Sequence, residues 1–336
     1  MAFSRLTGHT LSSVQTLMGW NQIVQLQLYG SGAYEALRVT NFNMGSSQTG
    51  DAPDYVTGAD DRTAWMKGPV TTEGSIEFPY TFSASGTISG IEMFQEGANL
   101  AQNPSRSFKV RSSATNDYIY GSDMVAFENC KFQTVEIKGD AEGAISCSGT
   151  IWGIADTTTN VSSGVGNSTR TEISNLGEPN GVDPAGTLPI VQIPMWDAVS
   201  ISGAPDGMYI VGFSIQVENN LQRNYTMGTQ NGASPYGLNA SSISAGQRRV
   251  TGSLTWQSDA SASLTAILGS GINGLTINIG TDNPAISTDT ILTLDRCLWT
   301  AVPPTISAGD RITCESSFVA LGSGTESGDF NALTIT

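Results

Sequence analysis

The sequence predicts a mainly β protein made of two tandem β-sandwich or half-barrel domains, each with one short α-helix and one long β-hairpin loop. Three observations predict it. The 336 residues are 39% hydrophobic and only 13% charged, with 38 glycines and many serines and threonines. That composition suits sheets and is too poor in charge for a chain that stays unfolded. Alternating apolar and polar segments recur between glycine-rich turns, as on half-buried strands. Finally, the chain repeats itself: sixteen residues separate Cys130 from Cys147 and again Cys297 from Cys314, 167 positions later.

Taken in order, LRVTNF (37–42) and GSIEFPYTF (74–82) read as strands joined by a long loop, and TISGIEMFQEG (87–97) as a short helix. VAFENCKFQTVEI (125–137), a turn at GDAEG (139–143) and AISCSGTIWGI (144–154) make a hairpin. The stretch 155–186 is polar, rich in turn residues and without apolar periodicity, which marks a connector. The expected division is therefore domain one at 1–155, a linker at 156–188 and domain two at 189–336. In the second domain FSIQVENNL (213–221) and TGSLTWQ (251–257) mirror the first strand pair, and ASLTAILGS (262–270) mirrors the helix. ILTLDRCLWTAV (291–302), a turn at SAGD (307–310) and RITCESSFVAL (311–321) mirror the hairpin.

Two offsets describe the repeat. At 167, Cys130 matches Cys297, Val135 matches Val302 and Cys147 matches Cys314. At 178, Val39 matches Val217, Asn41 matches Asn219 and Gly74-Ser75 matches Gly252-Ser253. One deletion of 11 residues between Ser263 and Cys297 reconciles them. Turn chemistry centres each hairpin past the midpoint between its cysteines, which sets Cys147 near Val135 and Cys314 near Val302. The repeat cysteines Cys130, Cys147, Cys297 and Cys314 are thus expected as reduced core thiols, since cysteine behaves as a small hydrophobe.

Catalytic chemistry finds no candidates. The single histidine, His9, cannot supply a nucleophile–base pair or a His/Cys zinc site. GADDR (58–62) lacks the alternating ligands of a calcium loop. No catalytic, cofactor-binding or metal-binding residue is assigned, and no enzyme is expected. With 30 acidic against 15 basic residues, the net charge of −15 opposes tight binding to nucleic acid, which rests on cations neutralising phosphates. The N-terminal residues show no unbroken apolar core of a signal peptide, and no run approaches a membrane span. The expectation is a soluble protein made in a cytoplasm.

IQVENNLQRNYTMGTQ and SAGQRRVTGSLTW (within 215–256) resemble the strand, long loop and returning strand of bacteriophage tail tube proteins, and CKFQTVEIKGDAEGAISCSGTIWG resembles the final hairpin of that family. The resemblance covers both halves. It implies two tail-tube-like domains, a virion structural protein assembled in the host cytoplasm, and rings stacked into a hollow tail tube through which DNA is ejected. With two fused domains it implies a homotrimer per ring with pseudo-hexameric symmetry, meeting other tail proteins at the tube ends. DNA would pass without tight binding: basic linings hold duplex at roughly 10⁻⁴–10⁻⁶ M per footprint, whereas an acidic wall lets it slide. The loop 43–69 and its counterpart 223–247 fall where the family's stacking loop lies. Tyr55, Trp65, Met66, Tyr225, Met227 and Tyr236 are the hypothesised apolar anchors against the next ring. The alternatives are another β-rich particle component, such as a decoration or baseplate protein, or a carbohydrate-binding adhesin.

Overall fold

The computed structural model describes residues 22–29, 35–51, 66–82, 88–101, 106–114, 125–154, 193–204, 209–225, 240–257, 272–280, 290–301, 313–322 and 332–336. The expected second helix (262–270), the connector, His9, the GADDR loop and the turn 307–310 lie outside these residues.

The protein is mainly β. In the first half the strands are β1 (Gln22–Gln27), β2 (Glu35–Leu37), β3 (Asn41–Asp51), β4 (Met66–Pro79), β5 (Phe108–Ala114), β6 (Val125–Asp140) and β7 (Ser146–Ile154). In the second they are β8 (Val199–Ser202), β9 (Tyr209–Glu218), β10 (Gln222–Asn224), β11 (Ser242–Ser244), β12 (Arg249–Gln257), β13 (Ile272–Ile279), β14 (Thr290–Ala301), β15 (Thr313–Leu321) and β16 (Thr334–Ile335). Hydrogen-bonded neighbours run β3-β4-β7-β6-β5-β1 in the first half and β9-β12-β15-β14-β13-β8 in the second. The chain visits both paths in the same order. They belong to one sheet, because β9 also pairs with β6, from Thr134↔Glu218 to Asp140↔Gly212.

The alternation read from the sequence becomes two faces. On one, Phe78, Cys147, Ile137, Ile215, Gly252, Phe318 and Trp299 lie opposite one another in a row that crosses the junction between halves. The side chains in this row are buried, and sinking one side chain of Leu or Phe size is worth roughly 1.5–3 kcal/mol. The helix α1 (Gly90–Gln95) and the π-helical turn Glu96–Leu100 cover part of this face through Met93, Phe94 and Ala98. Ser89 starts the helix by accepting from the Glu92 amide at 3.1 Å while its own amide donates to the Glu92 carboxylate at 2.8 Å, the reciprocal pattern of a capping box. Gly97 sits so close to the sheet that a Cβ there would lie 2.8 Å from Val135 Cγ1.

Two registers differ from the sequence reading. Gly74 faces Met44 in β3, whereas its counterpart Gly252 faces Ile215 in β9. Structural equivalence thus joins Phe42 to Phe213 and Met44 to Ile215, an offset of 171 rather than 178. Val39 does not match Val217, because the second half holds seven more residues between its two arm strands. In the β6–β7 hairpin, Cys147 faces Ile137, and Val135 faces Gly149. The turn is centred on Glu142, whose φ of 69° is left-handed. Gly139, expected in the turn, stays in β6, where a Cβ would lie 2.7 Å from the Phe213 ring.

Candidate assembly surfaces

Three features could serve contacts with other molecules: the hairpin arms, the polar face of the sheet and its open edge.

The arms begin at equivalent points, Ser47–Thr71 in the first half and Glu218–Arg249 in the second. The first continues as a β-ribbon to Asp51↔Met66. The second leaves the sheet at once. Asn219 is buried, and its amide nitrogen Nδ2 donates to Gly97 O at 2.8 Å and Phe132 O at 2.9 Å. Asn220 then takes a φ of 47°, a left-handed conformation that asparagine tolerates. The returning strand brings Arg248, whose Nη1 donates to Ala98 O at 2.5 Å. Asn219 and Arg248 therefore supply donors to carbonyls in the turn that continues α1, where helix geometry leaves acceptors unpaired.

Beyond this clamp the β10–β11 ribbon lies against the first half. The Arg223 guanidinium stacks 4.0 Å from the centre of the Trp152 ring and donates to Thr72 O at 2.8 Å. Tyr225, one of the expected inter-ring anchors, is 44% exposed, and its hydroxyl donates to Val70 O at 3.4 Å within the same chain. The backbone of Met66 opens β4, and its side chain is outside the described residues, as are Tyr55, Trp65, Met227 and Tyr236.

Opposite the buried face lies a polar one. Glu77, Ser148, Glu136, Gln216, Thr251 and Val319 form one cross-strand row, and Ser146, Lys138, Ser214, Ser253, Ser317 and Thr300 form the next. Ser146, Ser148, Ser214, Thr251, Ser253 and Ser317 present short hydroxyl side chains. Ser214 Oγ donates to Glu136 Oε1 at 2.7 Å, and Thr134 and Thr150 share a hydroxyl bond at 2.6 Å. On these strands the carboxylates Glu73, Glu77, Glu128, Glu136, Asp140, Glu218, Asp295 and Glu315 outnumber the cations Lys67, Lys131, Lys138, Arg249 and Arg296. Alternation alone marks these residues as outward-facing, but only the β6–β9 pairing makes the face continuous across the two halves.

The open edge is β3, which among the described residues pairs only with β4. Phe42 and Met44 are half-buried, while their counterparts Phe213 and Ile215 are buried where β9 meets β6.

The four cysteines are buried free thiols. Burial raises the Cys147 thiol well above its usual range and pushes Cys297 up to about 12, so neither is poised as a nucleophile. Among the described residues no cluster of three His, Cys, Asp or Glu side chains could hold a metal ion, and no helix is long and apolar enough to cross a membrane.

A family model described as phage tail tube protein matches residues 12–332, nearly the whole chain. No curated protein matches it.

Proposed function

We propose, from the premise that the chain belongs to the phage tail tube protein family, that three copies close into a ring of six β units. Rings stack into the hollow tube that conducts DNA into the host. Membership makes the protein a structural component of the phage tail, and this reading gives it no catalytic role. Each chain contributes two tandem units, the first within 1–155 and the second within 189–336, joined by 156–188.

One observation carries this reading. The two halves follow the same strand order and meet by adding the first strand of one path to the hairpin strand of the other. A unit that joins its like side by side, head to tail, generates a ring when the rotation closes. The polar face is then the wall of the channel. Its short hydroxyl side chains and excess of carboxylates present little that would grip a polyanion, which suits a conduit that must release DNA along its length.

Negative-stain microscopy of the purified protein tests the proposal. Hollow tubes whose rings show three copies with pseudo-sixfold symmetry are expected. A protein that stays monomeric at high concentration and in the presence of tail-tip proteins, or rings of six whole copies, would refute it.

A further inference from the structure

The internal junction between the halves is a template for a contact between copies. On one edge of β6 the pairing with β5 ends at Cys130↔Phe108, and β9 takes over that edge from Thr134. On the equivalent edge of β14 the pairing with β13 reaches Leu298↔Ile272 among the described residues. Thr300 and Ala301, which follow, face Ser317 and Ser316 of β15 as Thr134 and Val135 face Thr150 and Gly149 of β7. Among the described residues no strand pairs with their other edge. At the opposite end of the sheet, β3 holds the place of β9 and is likewise open.

We propose that β3 of one copy adds to β14 of a second copy in the β9–β6 register, with Ser47 opposite Thr300 and Ser46 opposite Ala301. This rests on the ring reading above and names the edge that closes it. Two further observations fit a second copy as the occupant. Phe42 and Met44 are less buried than their counterparts at the junction, so covering that edge completes a core already half built. Leu298 is 48% exposed beside half-buried Val319. That pair is the counterpart of Lys131 and Trp152, and the second arm lays Arg223 on the Trp152 ring. To cover Leu298 and Val319, the neighbour's first arm, a straight ribbon in the free chain, must leave the sheet after Ser47 as the second arm does after Glu218.

The polarity of the backbone is set by the junction too. The Asn219 amide donates to Gln133 O and the Ala141 amide to Val211 O, so odd-numbered residues of β9 turn their peptide groups toward β6. Their equivalents in β3 are Phe42, Met44 and Ser46. The Glu218–Thr134 position, and hence Ser47–Thr300, is a non-hydrogen-bonded pair, the close-approach type that accepts a disulfide.

The experiment is oxidation of assembled Ser47→Cys/Thr300→Cys protein, followed by denaturing electrophoresis without reductant. A ladder of covalent dimers and trimers that stops at three, absent from either single variant, is expected. Two assembly variants accompany it. Ser46→Pro deletes an amide that faces the open edge, where proline does not disturb the ladder to β4. Leu298→Asp removes the apolar seat from an exposed site. Each should leave the free chain's melting unchanged within a degree or two and raise the concentration needed for assembly at least tenfold. Normal tubes without the disulfide ladder, or with both variants assembling as wild type, would overturn this contact and leave the ring reading standing. Absence of any assembly by the wild-type chain would overturn both.

Discussion

At Ser47 the first arm runs on as a straight ribbon; at Glu218, its equivalent, the second arm turns out of the sheet and folds down over Trp152. The difference traces to a few side chains. Asn219 and Arg248 reach the carbonyls that follow α1, Asn220 adopts a left-handed backbone, and Arg223 finds an aromatic ring to lie on. Two halves with the same strand order thus hold their arms differently. The second arm fastens the halves together inside the chain, and the first is the arm that the proposed contact gives to a neighbour.

The comparison can be broken most severely at Asn219. Asn219→Ala leaves Gly97 O and Phe132 O without that donor in a buried setting, and should cost about 2–4 kcal/mol of stability, read as a lower denaturant midpoint. It turns the second arm into an unfastened one. Next come the paired glycines. A Cβ at Gly252 would meet the Phe318 ring and the Ser214 carbonyl, and one at Gly74 would meet the Asn43 carbonyl of β3. Gly252→Ala should cost about 1–3 kcal/mol, because β9 is held on both sides. Gly74→Ala should cost less in the free chain, since the open β3 can shift, and the gap should close after assembly if β3 gains a partner. Equal losses in the free chain would show that β3 is as fixed as β9.

Arg223→Ala removes the stack on Trp152 and the bond to Thr72 O. We expect a loss of about 1–2 kcal/mol, with faster proteolysis confined to the second arm. The smallest effect concerns a charge group found only in the first half among the described residues. Glu96 is buried beside Lys131, with Arg106 at 3.3 Å. Desolvation holds the Glu96 carboxyl above its ordinary 4.5, although Arg106 and Lys131 pull it back. A raised folded pKa means that its contribution to stability is complete below the unfolded value and is lost as pH rises through the folded one. Glu96→Gln should match the wild type near pH 4 and become the more stable of the two toward pH 7. A variant that falls behind instead would show that the ion pair outweighs the desolvation.

Much of this was legible in the sequence, for local reasons. The β6–β7 hairpin shows clean alternation, and the helix read at 87–97 lies within one short segment. The match of Gly74 to Gly252 has a physical basis, because the partner strands' backbone excludes a side chain at both places. What misled was identity without register. Val39 and Val217 look alike, but the seven-residue difference between the arms displaces β3 against β9, and only the facing residues reveal it. Gly139 looked like a turn residue, whereas its missing Cβ makes room for Phe213 from the other half. The β6–β9 pairing, and with it the continuous polar face, joins segments more than seventy positions apart and leaves no local trace in either.

Strand β6 is sixteen residues long and is bonded along one side to β7 and along the other first to β5 and then to β9. It is a splint common to both halves. Any bending of one half against the other would have to strip a ladder of amide bonds at once, so the molecule resists flexure as a single plate. In the tube proposed above, that rigidity would send bending to the joints between subunits and spare the subunits themselves.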